Sequence, residues 1–274
     1  MSPTLALHTV ALLLYAATAG MLGLSMARGG HGAPRAATPA LALGVGAHGA
    51  ALGAFAARHH ELPLVGLGPS LSVLALLIAL GSLVLALTRT SPLSLVLVPV
   101  AAALAAVAEM VGVAPGAGAQ EQVYRGPWFV LHVVLAMVGY AGLTIAFAAG
   151  LMYLLQWREL KGKRFGAVFR FFPPLDTLDR IGFRALLAGL PFLTAALLLG
   201  WAWSHRFGPG MGAGNPKVVW GVVTWLVFVI ALAARGRGAR HPRHGAMASV
   251  IGFAIVVVAY LLLRAGENTG AGFL

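Results

Sequence analysis

Of 274 residues, 59% belong to the apolar set and only 9% are charged, against roughly 25% charged in an average soluble domain. Such a chain cannot cover a water-facing surface, and its apolar residues fall in long blocks, which excludes disordered, collagen-like and coiled-coil classes. The absence of cysteine removes disulfides, thiolate metal sites and cysteine nucleophiles, and the net charge of +12 is to be read first as membrane topology rather than as affinity for nucleic acid.

A helix crossing a hydrocarbon core of about 30 Å needs roughly 20 apolar residues. Eight stretches qualify, at 4–27, 38–57, 69–88, 91–113, 127–155, 185–204, 217–234 and 245–264. Backbone groups in lipid must be bonded within their own segment, and no ten-residue alternation of a membrane barrel is present. The fold predicted is an all-α, polytopic helical bundle in one transmembrane domain, residues 1–274. The fifth span extends to Gln156, past what a bilayer requires, and the connector Thr88-Arg89-Thr90 makes spans three and four antiparallel neighbours. The N-terminus, Met1-Ser2-Pro3-Thr4, carries no basic region and no cleavage site of the secretory type, so the first helix is expected to be retained.

Lys and Arg are split 14 to 5 between alternate loops, the smaller set being Arg58, Arg125, Arg206, Lys217 and Arg264. Cytoplasmic loops carry the excess, which places both termini outside. Residues 156–184 then form a basic inner segment with amphipathic character at Phe169-Arg170-Phe171-Phe172 and Leu175–Arg180. It could lie along anionic lipid; the plainer reading is a solvated topogenic loop. Residues 205–216 form a Gly-rich outer loop or simple connector.

Nine histidines accompany only seven carboxylates. His8, His59, His60, His132 and His205 fall near the outer ends of spans, His48 lies near the middle of the second, and His31, His241 and His244 belong to inner loops. A polar side chain at membrane depth marks a functional site by default, and neutral imidazole ligates metals, haem iron included. The plain alternative for His132 and His48 is an inter-helix hydrogen bond; for His59 and His60, beside Arg58 and Glu61, it is interfacial solvation, and His8 and His205 lie at headgroup level. Ala136 and Gly139 share the face of His132 and could clear room beneath it, for a neighbouring helix or a flat macrocycle. At about 1.5 Å per residue, His132 and His48 lie roughly 8 and 14 Å from the outer end, an offset within the combined reach of two imidazoles.

Other catalytic signatures are missing: there is no P-loop, Gly-x-Gly-x-x-Gly after a strand, His-Glu-x-x-His or Gly-x-Ser-x-Gly. Glu109, the carboxylate clearly inside a span, could relay protons or touch interfacial water. A proton-driven pump would carry more intramembrane acids.

Pro127-Trp128-Phe129-Val130-Leu131-His132-Val133, followed by Gly139-Tyr140-Ala141-Gly142-Leu143, resembles the W-L-x-x-H-V…Y-A-x-L segment of the CcsA/HemX-like cytochrome c assembly family. Leu175-Asp176-Thr177-Leu178-Asp179-Arg180 is similar to its L-D-x-x-x-R segment. Gly189–Thr194 with Gly200-Trp201-Ala202-Trp203 resembles a further helix, and Asn215-Pro216-Lys217 with Trp220 and Thr224-Trp225 resembles D-P-K-E-x-W…I-T-W. Upstream, Ala47-His48 and Leu62-Pro63-Leu64 sit where the HemX-like branch has a histidine and a P-L element. The match covers 127–264 well and 38–113 loosely.

The resemblance implies haem handling at the outer face in support of cytochrome c maturation. His132 matches a haem-linked histidine, and the implied haem-binding set is His132, His48, Tyr140, Trp128, Trp201 and Trp203, with His132 and His48 on the iron and His8, His59, His60 and His205 as alternatives. The chain departs from the family's tryptophan-rich loop at 205–216, has Asn215 and Val218 for the acids of D-P-K-E, Ala233 near the usual histidine, and Gly266–Gly270 in place of G-L-H-S-Y. These departures point to the HemX-like branch and to an accessory that binds or passes haem b non-covalently, not to a complete synthase enzyme. The expected setting is multi-pass in a bacterial cytoplasmic membrane, with lipid and another maturation subunit as partners and no nucleic acid. Two other readings remain: a small-molecule permease of the same bundle class, and a membrane regulator of haem synthesis acting through the inner loop.

Overall fold

The computed structural model describes residues 3–115, 126–163, 166–207, 216–236 and 242–267. Among these residues there is no strand. The chain runs through α1 (Pro3–Ala27), α2 (Ala37–His59), α3 (Leu67–Leu85), a π turn and a 3-10 turn (Ala86–Thr90, Ser91–Leu93), α4 (Ser94–Val111), α5 (Pro127–Lys161), the short α6 (Ala167–Phe171), α7 (Leu175–Phe207), α8 (Pro216–Gly236) and α9 (Pro242–Glu267). All but α6 are long and apolar enough to cross a membrane, eight in total, as the hydropathy blocks predict. Pro99 and Pro191 lie inside α4 and α7, positions tolerated where neighbouring helices re-satisfy the freed backbone groups.

Two compact units are distinguished. The first comprises Met1–Arg125 and Leu154–Leu178. Within it α1 packs on α2 and α4, and α3 packs on α4 and α2. Alanines at 11, 51, 75, 101 and 105 are fully buried and bring the helix backbones together around Tyr15, Leu41, Phe55, Ile78 and Leu97.

The second unit comprises Gly126–Tyr153 and Asp179–Leu274. Its core gathers Leu143 and Ala146 of α5, Leu186 and Leu193 of α7, Val227, Phe228 and Ala231 of α8, and Val256 of α9. Gly142 is flush against α7: a Cβ there would meet the Ala185 carbonyl at 3.0 Å and the Gly189 Cα at 3.1 Å.

Several boundaries depart from the hydropathy reading. α5 continues to Lys161, and α7 begins at Leu175, ten residues before the span predicted there. The basic segment 156–184, expected as a solvated loop, is therefore largely helical. Its phenylalanines explain why: Phe171 and Phe172 are buried within the first unit. Glu159 accepts hydrogen bonds from the backbone N–H groups of Gly166 and Phe169, which ties the start of α6 to the end of α5. Residues 208–215 of the Gly-rich loop lie outside the described residues.

Candidate functional site

His132 sits in the second turn of α5, and its ring leans on α7. Nδ1 lies 2.7 Å from the Ala196 carbonyl oxygen. A carbonyl can only accept, so Nδ1 carries the proton and the Nε2 lone pair is left for another partner. The ring has room because position 200 is glycine: a Cβ there would meet His132 Cε1 at 2.7 Å and Nδ1 at 3.0 Å. Gly139, on the same face of α5, also meets α7, where a Cβ would lie 3.0 Å from Leu193 Cβ, so of its two expected uses it serves the neighbouring helix. Gly200 stands 68 positions along the chain from His132, and only folding brings it beneath the ring.

Beside the half-buried His132, Trp128 one turn earlier and Trp201 next to Gly200 are exposed, at 59% and 66%. Tyr140, two turns further along α5, packs its ring 5.0 Å from that of Trp220, against the core of the second unit. The side chains of Trp203 and His205 lie outside those described. What the second unit presents is thus an imidazole held through Nδ1 by a backbone carbonyl, with exposed indoles one turn earlier on α5 and next to Gly200 on α7. Orientation of a ligating histidine by a carbonyl on its other nitrogen is the usual way a metal-binding imidazole is fixed.

His48 is placed differently. It is fully buried in the first unit. Its Nδ1 lies 3.2 Å from the Tyr15 hydroxyl and its Nε2 2.9 Å from Ser72 Oγ. Both ring nitrogens are engaged, so His48 as placed here offers no free lone pair to an iron. Ser72 Oγ also lies 2.9 Å from His8 Nε2, and the rings of His8 and His48 meet edge to face at 4.8 Å. His8, read from sequence as a headgroup residue, is 1% exposed. Its Nδ1 faces Glu109 Oε2 at 3.8 Å without a hydrogen bond, while Glu109 Oε1 lies 2.6 Å from the Thr9 hydroxyl. His59 packs against Phe55, with ring centroids 4.7 Å apart. His60 is exposed and closes α2 in the left-handed conformation.

A third polar group, unseen in the sequence, lies in the second unit. Arg235, counted there as a loop cation, is buried at the end of α8. It donates to Asp179 Oδ1 at 2.8 Å, to the Asp179 carbonyl at 2.9 Å and to Ser249 Oγ at 3.1 Å. Gly182 and Gly245 make way for the guanidinium and its stem.

The sequence model of the cytochrome C assembly protein family matches residues 64–268. The chain belongs to that family. It is 29% identical over 136 residues to a cytochrome c biogenesis protein CcsA of Chlamydomonas reinhardtii, covering 49% of this chain and 37% of that protein. Proteins of the same name from Guillardia theta and Synechococcus elongatus are 28% and 27% identical, each over 50% of this chain and over 50% and 55% of their own lengths. The chain thus spans about half the length of the curated relatives it matches. The matched region contains His132, Gly200 and Arg235, and also Ser72 and Glu109; His8, Tyr15 and His48 precede it.

Proposed function

We propose that this chain is a haem-handling membrane protein of cytochrome c maturation, with haem as cargo and His132 as the residue that takes its iron. The observation that carries the reading is the Nδ1–H bond from His132 to the Ala196 carbonyl, which leaves Nε2 free on a surface flanked by Trp128 and Trp201. An imidazole held through Nδ1 needs no rotation to offer Nε2 to iron. Exposed indoles supply flat apolar area for a macrocycle. Tyr140 and Trp220 support α5 from behind, and Trp203 follows Trp201 on the same helix. A second axial ligand from His48 would first require its bond to Tyr15 or Ser72 to open.

Family membership and the names of the relatives support the maturation role. Within that role the chain binds or passes haem b non-covalently instead of forming bonds, since it lacks the family's tryptophan-rich loop at 205–216, as in the HemX-like branch. The 14-to-5 distribution of Lys and Arg supports both termini outside, which sets His132 toward the outer face of a bacterial cytoplasmic membrane. Within that role the chain would work with another maturation subunit.

The test is the absorption spectrum of the detergent-solubilised protein supplied with haem. Reduced Soret and alpha bands are expected in the wild type and in His48→Ala, and are expected to vanish in His132→Ala. A preparation that stays colourless with haem present would sink the reading; bands lost only in His48→Ala would move the ligand to the other unit.

A further inference from the structure

α5 is longer than a bilayer requires. Its 35 residues run about 50 Å, whereas the hydrocarbon core is about 30 Å deep and each headgroup layer adds roughly 5–8 Å. The apolar run of the helix ends at Leu155, which is 40% exposed. Arg158 follows three residues later and Lys161 three after that, about 9 Å beyond Leu155. Trp157, 38% exposed, stands at the same level, where tryptophan concentrates at membrane–water interfaces. Leu155, Arg158 and Lys161 line one open groove of about 730 Å³.

The groove has two walls within the first unit. One is the end of α5; the other is α6, through Val168. With five residues α6 is far too short to stand alone. It is held by the burial of Phe171 and Phe172, and by Glu159, whose Oε2 accepts from the N–H groups of Gly166 at 3.2 Å and Phe169 at 2.9 Å. Gly166 lets the carboxylate in, since a Cβ there would fall 2.8 Å from Oε1. The one acid lining the groove is thereby occupied with backbone donors, while Arg158 and Lys161 are exposed. The Gly162 N–H bonds the Arg158 carbonyl at 3.0 Å, so both cations stand on ordered helix and not on a free loop.

We propose that this groove binds the headgroup of an anionic phospholipid, its phosphate between Arg158 and Lys161 and the start of an acyl chain along Leu155 and Val168. Topology alone requires cations in this segment, but not an apolar-to-cationic groove whose acid is turned onto backbone amides. Residues 158–170 carry five Lys and Arg against the single carboxylate of Glu159. A basic cluster of that size just beyond a span attracts anionic lipid, by a factor of about five for each cation near the surface. A zwitterionic headgroup would bring its ammonium against the same cations, and a free phosphate would leave Leu155 and Val168 in water. Assignment to the inner leaflet rests on the orientation proposed above; the site itself involves neither haem nor His132.

The experiment is native mass spectrometry of the full chain in detergent without haem, titrated with phosphatidylglycerol or phosphatidylcholine of matched acyl chains. The first phosphatidylglycerol is expected to bind at least about tenfold more tightly than the first phosphatidylcholine. Arg158→Gln combined with Lys161→Gln is expected to lower that preference by at least about fivefold. Arg35→Gln combined with Arg243→Gln, the same charge taken from elsewhere, is expected to leave it within about twofold. All four positions are exposed, so thermal unfolding is expected to stay unchanged in both double variants. Excess inorganic phosphate is expected to displace the lipid no more than chloride of equal ionic strength does. Equal affinity for the two lipids would overturn the proposal, as would a preference that survives loss of Arg158 and Lys161 or falls equally in the two double variants. Displacement by phosphate beyond the effect of chloride would also overturn it, making the groove a site for a free anion. Loss of haem bands in His132→Ala leaves these titrations untouched, so the two readings fail separately.

Discussion

His48 and His132 are the same side chain on two apolar helices of one membrane protein, yet folding equips them for different chemistry. His48 is enclosed, with a hydroxyl at each nitrogen, so neither nitrogen is available until one of those contacts opens. His132 spends one nitrogen on a carbonyl and keeps the other at a half-open position. The lesson is that burial and the identity of the partner, donor-acceptor hydroxyl or acceptor-only carbonyl, decide whether an intramembrane imidazole has both nitrogens engaged or keeps one available.

The contrast can be broken in descending order of effect. The largest is all-or-none: haem bands present in wild type and in His48→Ala but absent in His132→Ala, as set out above. Next comes stability. His48→Ala empties an enclosed site and strands the Tyr15 and Ser72 hydroxyls, at an expected cost of about 2–4 kcal/mol. His132→Ala, at a half-open position, is expected to cost under about 1 kcal/mol. Thermal unfolding in detergent should separate the two, and equal losses would contradict the difference in enclosure. Gly200→Ala should push the His132 ring off its seat and weaken haem binding by about tenfold while leaving the fold intact, measured by haem titration. Trp201→Ala, which removes apolar area without touching the ligand, should lower haem affinity by a few-fold, on the order of 1 kcal/mol.

The spans were legible because a bilayer imposes a length and a composition on each, and blocks such as 69–88 satisfy both without reference to neighbours. His132 was legible as a candidate for a different reason: it stands in a local motif, Trp128 to Val133. What sequence could not give was lateral placement. His8 lies near a helix end, so depth alone made it a headgroup residue, and its burial against Ser72 depends on α2 and α4 holding α1 and α3 across from each other. Ser72 carried no signal, because serine is common in such helices and only its two neighbours make it unusual. Gly139 lay on the right face of α5 by helical spacing, but Gly200, far along the chain, is what the ring rests on. Arg235 was counted as one more inner cation; its pairing with Asp179 depends on α7 starting ten residues sooner than its hydropathy shows. Arg235→Leu should accordingly destabilise the second unit by about 2 kcal/mol, read by the same unfolding measurement.

The seat of Arg235 also bears on how this sequence can drift. A Cβ at Gly182 would fall 2.5 Å from the guanidinium Nη2, and one at Gly245 would collide with the Cγ of the stem. A side chain at 245 would meet the stem and one at 182 would push the guanidinium away from Asp179, whereas a shorter residue at 235 would open both places at once. The four positions are therefore coupled: a shorter residue at 235 makes room at both glycines, and larger residues there would in turn narrow the seat an arginine needs.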